Sequence, residues 1–182
     1  MDDMYKLAVA ALYLLMLGPA EAENVPGKWV FVKHGLNIQV VAKDAEIDEE
    51  RTYQVVVSEG VRTLSRLEVN RDGLVTDAWI TDMDGDGAFE IVVATAQLGG
   101  EDIGAVDVHE WHDFRFDSTR PAKLAREQLI GYRGNDQFSI VNGQLRRAHP
   151  LFVDRDGIVV PSGKMAIFEY DYEENRWGSE VQ

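Results

Sequence analysis

Residues 70–94 read NRDGLVTDAWITDMDGDGAFEIVVA, and the way this stretch divides decides the fold. Asn70, Arg71, Asp72 and Gly73 make a hairpin-turn signal, with the glycine able to take positive φ. Residues 74–80 then run as a strand. Residues 82–90 (DMDGDGAFE) are acidic and glycine-rich, and residues 89–94 (FEIVVA) are apolar enough for a central strand. Strand, acidic connection and buried strand in succession indicate an antiparallel β fold.

The flanking sequence repeats this grammar. Residues 36–41 (LNIQVV) alternate, until the acidic stretch 44–50 breaks the pattern. Residues 53–57 (YQVVV) are β-branched and end at Glu59 and Gly60, and a further strand covers 64–69. Downstream, Gly99 and Gly100 interrupt the chain before 105–111 alternates again. Beyond Phe116 the pattern is weaker. Residues 121–129 (PAKLAREQL) read either as one short helix with proline in its first turn or as a loose strand. Residues 138–141, the pair Asn142 and Gly143, and residues 144–148 carry a hairpin signature. Asp154, Arg155, Asp156 and Gly157 mark another turn, and 165–172 (MAIFEYDY) is the final alternating strand, after which 171–175 trails off in charge. No helix–strand alternation and no fixed-period repeat occurs. The expectation is an antiparallel all-β sandwich or open barrel of about eight to ten strands, formed by a single domain over 23–182.

Composition narrows the partners. The 182 residues carry a formal charge of −14, which argues against nucleic acid and anionic membrane surfaces; it either draws in a basic partner or only keeps the protein soluble. Cysteine is absent, so disulfides, zinc–thiolate sites and thiol nucleophiles are excluded. Residues 7–17 (LAVAALYLLML) form an apolar run followed by Gly18, Pro19 and the small-x-small site Ala20, Glu21, Ala22. That is the pattern of a secretory signal peptide over 1–22, too short for a spanning helix. Asp2 and Asp3 are unusual in such a leader; initiation at Met4 would leave Lys6 as its positive charge. Asp2, Asp3, Glu21 and Lys6 give the leader −2, leaving −12 on residues 23–182. The expected location is periplasmic or secreted, with no membrane span after cleavage.

The acidic connection places Asp82, Asp84 and Asp86 at positions 1, 3 and 5 of an EF-hand-like loop, with Gly87 at 6. Position 12, which needs a bidentate glutamate, is Val93, and the flanks are strands, so this is no EF-hand. Glu90 at position 9 fits instead the calcium loops of β-hairpins. Asp82, Asp84, Asp86 and Glu90 are therefore candidate calcium ligands; the other reading is a tight turn whose aspartates accept backbone N–H bonds. Calcium is the one cofactor the sequence suggests.

No catalytic residue stands out. His109 and His112 are three apart and would face opposite ways on a strand, so the four histidines, with His34 and His149, read as surface residues. There is no glycine-flanked serine elbow, and nothing singles out a glycosidase-like carboxylate pair. Trp79, Trp111 and Trp177 read as packing residues. The expectation is a protein that is not an enzyme.

Further segments fall into an ordered series: 53–57 (YQVVV), 70–94, 132–138 (YRGNDQF) with 142–145 (NGQL), 149–152 (HPLF) and 161–163 (PSG). The series resembles the periplasmic inhibitors of I-type (invertebrate) lysozyme, in which a strand ending RDG leads through DxDGDGxPE into a VVV strand, with YSVRLY before it and Y-x-G-x-D-x-F…GGRL, FPLY and PSGG after it. The likeness spans about 36–172. It implies a secreted β-fold inhibitor that inserts a loop into the lysozyme cleft and blocks the catalytic carboxylates. In the family that loop follows the VVV strand and carries a Ser-Gly-x-x-x-Tyr-like motif. The matching segment here is 95–103 (TAQLGGEDI), which keeps the glycines but has Leu98 near the serine position and no tyrosine.

The contact loop expected from this resemblance is Leu98, Gly99, Gly100, Glu101, Asp102 and Ile103, with Ser162, Gly163 and Lys164 as a second contact. The implied partner is a basic lysozyme, I-type by resemblance, and a second copy of the chain is also admissible. The alternative is a calcium-stabilised envelope binding module with a different partner.

Overall fold

The computed structural model describes residues 27–43, 52–71, 73–97 and 103–180. The expected leader 1–22 and the acidic stretch 44–50 lie outside these residues. The chain folds as three consecutive antiparallel meanders of four strands each. The first contains β1 (Lys28–Lys33), β2 (Leu36–Lys43), β3 (Thr52–Glu59) and β4 (Arg62–Asn70). The second contains β5 (Leu74–Thr81), β6 (Phe89–Ala96), β7 (Gly104–His112) and β8 (Arg115–Thr119). The third contains β9 (Gln137–Val141), β10 (Gln144–Arg155), β11 (Ile158–Asp171) and β12 (Arg176–Glu180).

The second meander is the middle layer. One of its faces supplies Ala78, Phe89, Ile91 and Val93 to a core shared with Ile38, Val40, Tyr53, Val55 and Val57 of the first meander. The other supplies Val92, Val106 and Val108 to a core shared with Leu145, Ala166, Phe168, Tyr170 and Trp177 of the third. Side chains alternate across a strand, so β6 serves both cores, and every residue from Phe89 to Thr95 is buried. The all-β class and the sandwich-like stacking agree with the sequence reading, and the middle sheet makes the arrangement two sandwiches with a common layer.

Twelve strands are described, more than expected, and the differences have local causes. β1 was hidden because only its inner positions are covered: Val30 and Val32 are exposed. β7 and β8 are joined by Asp113 and Phe114 with φ of 48° and 62°, a mirror-image turn that gives no Asn-Gly or Asp-Gly signal. Ser65 Oγ donates to the Phe114 carbonyl at 2.6 Å and receives Trp111 Nε1–H at 3.0 Å, which holds that turn against the first meander. Residues 121–129 form neither the short helix nor the strand but a single 3₁₀ turn, Arg126–Leu129. Gln128 Nε2 fastens that turn to the carbonyls of Trp177 and Gly178 at 3.2 and 2.7 Å. Residues 165–172 are not the last strand: the charged residues after Asp171 are a turn, and β12 follows, led by the buried Trp177.

Trp177 is buried and Trp79 and Trp111 are partly buried against the two cores, as their packing reading required. Among the described residues, no helix is long and apolar enough to cross a membrane.

The two-sided burial of β6 sets an energetic expectation. Ile91→Ala should destabilise the protein by about 2–5 kcal/mol, because the fully packed site cannot collapse around the lost carbons. Val32→Ala, 73% exposed, should change stability by less than about 0.5 kcal/mol. Urea unfolding of the two variants gives the comparison.

Candidate functional site

The ends of β6 carry the candidate residues, one group on each side. At its start lies the acidic corner. Gly85 and Gly87 adopt φ of 76° and 90°, and Asp84 Oδ1 and Asp86 Oδ1 accept the Asp86 and Ala88 amides at 3.1 and 2.7 Å. So the Asx-turn reading is correct for Asp84 and Asp86. One carboxylate oxygen from each of Asp82, Asp84 and Asp86 lies within 4.8 Å of the others.

A second triad joins Asp84 to Glu90 on β6 and Glu110 on β7 within the same distance. Glu90 and Glu110 are directly paired across the β6–β7 ladder. Glu90 is fully buried. Its Oε2 accepts the Met83 amide at 2.7 Å, while its Oε1, like Asp82 Oδ1, is sealed from solvent with no hydrogen-bond partner. Burial foremost, then the charges of Asp84, Asp82 and Glu110, push the Glu90 carboxyl up to about 7, against the lowering effect of the Met83 amide. Glu110 Oε2 accepts the Tyr172 hydroxyl at 2.8 Å, from the turn after β11. Gln144 Nε2 donates to the Met83 carbonyl at 2.9 Å and Thr81 Oγ1 to the Gly143 carbonyl at 2.5 Å. The corner is thus tied to the third meander.

Glu110 escaped the sequence reading. Its position opposite Glu90 follows from the ladder register, in which Ala96 pairs with Gly104 and every pair counts back from there. That register depends on which faces of β6 and β7 are buried as well as on the connection between them, and no spacing within one strand reveals it.

The other end of β6 leads into the expected contact loop. Leu98, Gly99, Gly100, Glu101 and Asp102 lie outside the described residues; Ile103 is described and partly buried. The base of the connection is closed by the Gln97 amide donating to the Ile103 carbonyl at 3.1 Å. Next to it, Asp136 Oδ2 accepts the Gly104 amide at 2.8 Å and the Tyr132 hydroxyl at 2.5 Å. Arg147 completes the cluster with Nε to Asp136 Oδ1 at 2.7 Å and Nη2 to Asp136 Oδ2 at 2.9 Å, a bidentate pair with both side chains nearly sealed. The guanidinium also stands over the rings of Tyr132, Phe138 and Trp177 at 5.5–5.9 Å. Gly104 has no room for a side chain: an added Cβ would sit 2.6 Å from both Asp136 Cβ and Phe138 Cε2.

Ser162, Gly163 and Lys164 do not form a connecting loop. They are a bulge inside β11, three residues facing Leu151 between the pairs Pro150–Met165 and Phe152–Pro161. Gly163 and Lys164 are exposed, and Ser162 Oγ accepts the Lys164 amide at 3.1 Å. The long β10–β11 ribbon has the turn at Asp156 and Gly157, as expected, but extends beyond the residues whose alternation was legible.

The histidine reading needs correction. His109 is buried against the first meander and His149 is buried near Tyr132 and Phe168; His34 is exposed, and His112 is partly buried with Nε2 2.6 Å from Asp117 Oδ2. His109 was missed because β7 belongs to the sheet covered on both faces. Its Nε2 lies 2.5 Å from the Tyr53 hydroxyl and its Nδ1 2.8 Å from Ser118 Oγ. Tyr53 also donates to Asp107 Oδ2 at 3.1 Å, and Arg120 Nε to Asp107 Oδ1 at 2.9 Å. Burial lowers the His109 pKa to about 4, despite the opposing pull of Asp107, so the ring is neutral. Burial, then the charge of Asp107, pushes the Tyr53 hydroxyl well above its ordinary range. Serine, histidine and aspartate meet here, but Tyr53 stands between the last two and the histidine is only 2% exposed. The arrangement joins two sheets.

Neither a known protein-family model nor a curated protein sequence matches this chain.

Tyr53→Phe keeps the ring but removes the hydroxyl that Asp107 and His109 share. It should cost about 1–3 kcal/mol, the penalty for leaving buried polar atoms without a partner, measured by denaturant unfolding against the parent chain.

Proposed function

We propose that the chain is a secreted or periplasmic, non-enzymatic binding protein that works as lysozyme inhibitors do. It would present residues 98–103, between β6 and β7, to the cleft of a basic lysozyme, I-type by resemblance, and block it by occupation. The observation that carries this reading is the Asp136 cluster. The residues that support the resemblance at 132–138 are the ones that clamp Gly104 at the base of this connection. A loop whose base is fixed by a buried, bidentate ion pair loses less entropy on binding. Glu101 and Asp102 add negative charge where a basic cleft would meet it, which speeds encounter. The bulge at Ser162, Gly163 and Lys164 is the second contact in this proposal.

A second reading keeps the scaffold and changes the partner: an envelope binding module stabilised by calcium. The buried, unpartnered Glu90 Oε1 favours it.

Titration against I-, c- and g-type lysozymes tests the first reading. Inhibition at micromolar protein or below is expected, weakening as salt screens the acidic surface. The double substitution Glu101→Lys with Asp102→Lys should slow association roughly tenfold. Absence of inhibition of all three enzymes would overturn the reading and leave the second.

A further inference from the structure

We propose that Asp84, Glu90 and Glu110, with Asp82 and Asp86 beside them, hold one hard divalent cation of the calcium class, which bridges the acidic loop to the β6–β7 ladder. This proposal stands whichever partner the protein binds.

The geometry fits one ion. Calcium–oxygen distances are about 2.3–2.6 Å, so two ligand oxygens on one ion stand at most about 5 Å apart. The triad's three oxygens are all within 4.8 Å of one another, and so are those of Asp82, Asp84 and Asp86. Asp84 belongs to both groups, so the two adjoin. The donors are all oxygen, the set that selects hard cations over zinc or copper.

Charge makes the same demand. Like charges directly opposite on paired strands destabilise a sheet, and Glu90 and Glu110 are directly opposite. Among the described residues, no lysine or arginine forms an ion pair with Asp82, Asp84, Asp86, Glu90 or Glu110. His112 Nε2 is 3.8 Å from Glu110 Oε1 but 2.6 Å from Asp117, its closer partner. A carboxylate oxygen buried without a donor is costly, and this corner contains two, Glu90 Oε1 and Asp82 Oδ1. A bound cation satisfies both. The remaining contacts orient the ligands: the Met83 amide holds Glu90 Oε2, and the Tyr172 hydroxyl holds Glu110 Oε2.

The test is thermal melting of the full chain in calcium chloride and in chelator, with calorimetric titration of calcium into the chelated protein. At calcium about one hundredfold above its dissociation constant the melting temperature should rise by roughly 5 °C or more, with one ion bound per chain. Glu90→Gln should abolish the calcium shift while melting no lower than the parent in chelator, because it removes a buried charge and keeps an acceptor for Met83. Asp84→Asn, at an exposed position, should fold normally and bind calcium at least tenfold more weakly. No calcium shift in the parent chain would overturn the proposal. So would an equal shift from potassium chloride at matched ionic strength, or an undiminished shift in Asp84→Asn. Because none of these measurements involves lysozyme, their failure is separable from failure of the inhibition assay.

Discussion

A β-strand with apolar or small side chains at nearly every position is stable only where both of its faces are covered, and β6 imposes that condition on the whole chain. Each antiparallel sheet can leave one face to water; the middle meander cannot. Ile91 and Val93 on one side and Val92 on the other require two partner sheets, and the first and third meanders supply them. At about 25 cal/mol per Å² of apolar surface removed from water, covering the second face is a substantial gain that a simple two-sheet sandwich would forgo.

The same burial explains why the polar groups of the middle sheet matter. Glu90, Thr95, Asp107 and His109 all lie on β6 or β7 and are all buried. Each must find a partner within the protein, because water cannot reach it. Tyr53 answers Asp107 and His109 from the first meander. At the base of the 98–102 connection, Asp136 and Arg147 form a closed pair and capture the Gly104 amide. At the other end of β6, Glu90 has only one of its oxygens answered by the protein. The two ends therefore differ in kind: one is a completed polar cluster that positions a connection, the other an acidic group with unmet valence.

Much of this was readable in the sequence wherever a local rule operates. Alternation, a β-branched run at 53–57 and an apolar run at 89–94 located strands among β2 to β7, and the Asn-Gly and Asp-Gly pairs placed the turns at 142–143 and 156–157, where φ is positive as mirror-image turns require. Asp82, Asp84, Asp86 and Glu90 were legible as a group from spacing. What failed was long-range. β12 follows a charged run that gives no strand signal, and Trp177 is buried because Phe138, Arg147 and Tyr170 from the other strands of its sheet surround it. His109 looked like a surface residue because one strand's alternation cannot reveal that both faces are covered. Ser162, Gly163 and Lys164 carry the composition of a loop, yet pairing on either side makes them a bulge.

The sequence by itself determined the antiparallel strand class and the acidic corner, because side-chain periodicity, turn chemistry and carboxylate spacing all act within a few residues; the hairpin read at 70–73 is instead a passage between sheets, since β4 and β5 are not paired. Tertiary structure alone decided that the middle sheet has no solvent face, that Glu110 stands opposite Glu90, and that Asp136 clamps Gly104. Those facts depend on register and on which sheet stacks upon which. Both are set by the packing of residues tens of positions apart, which no local pattern encodes.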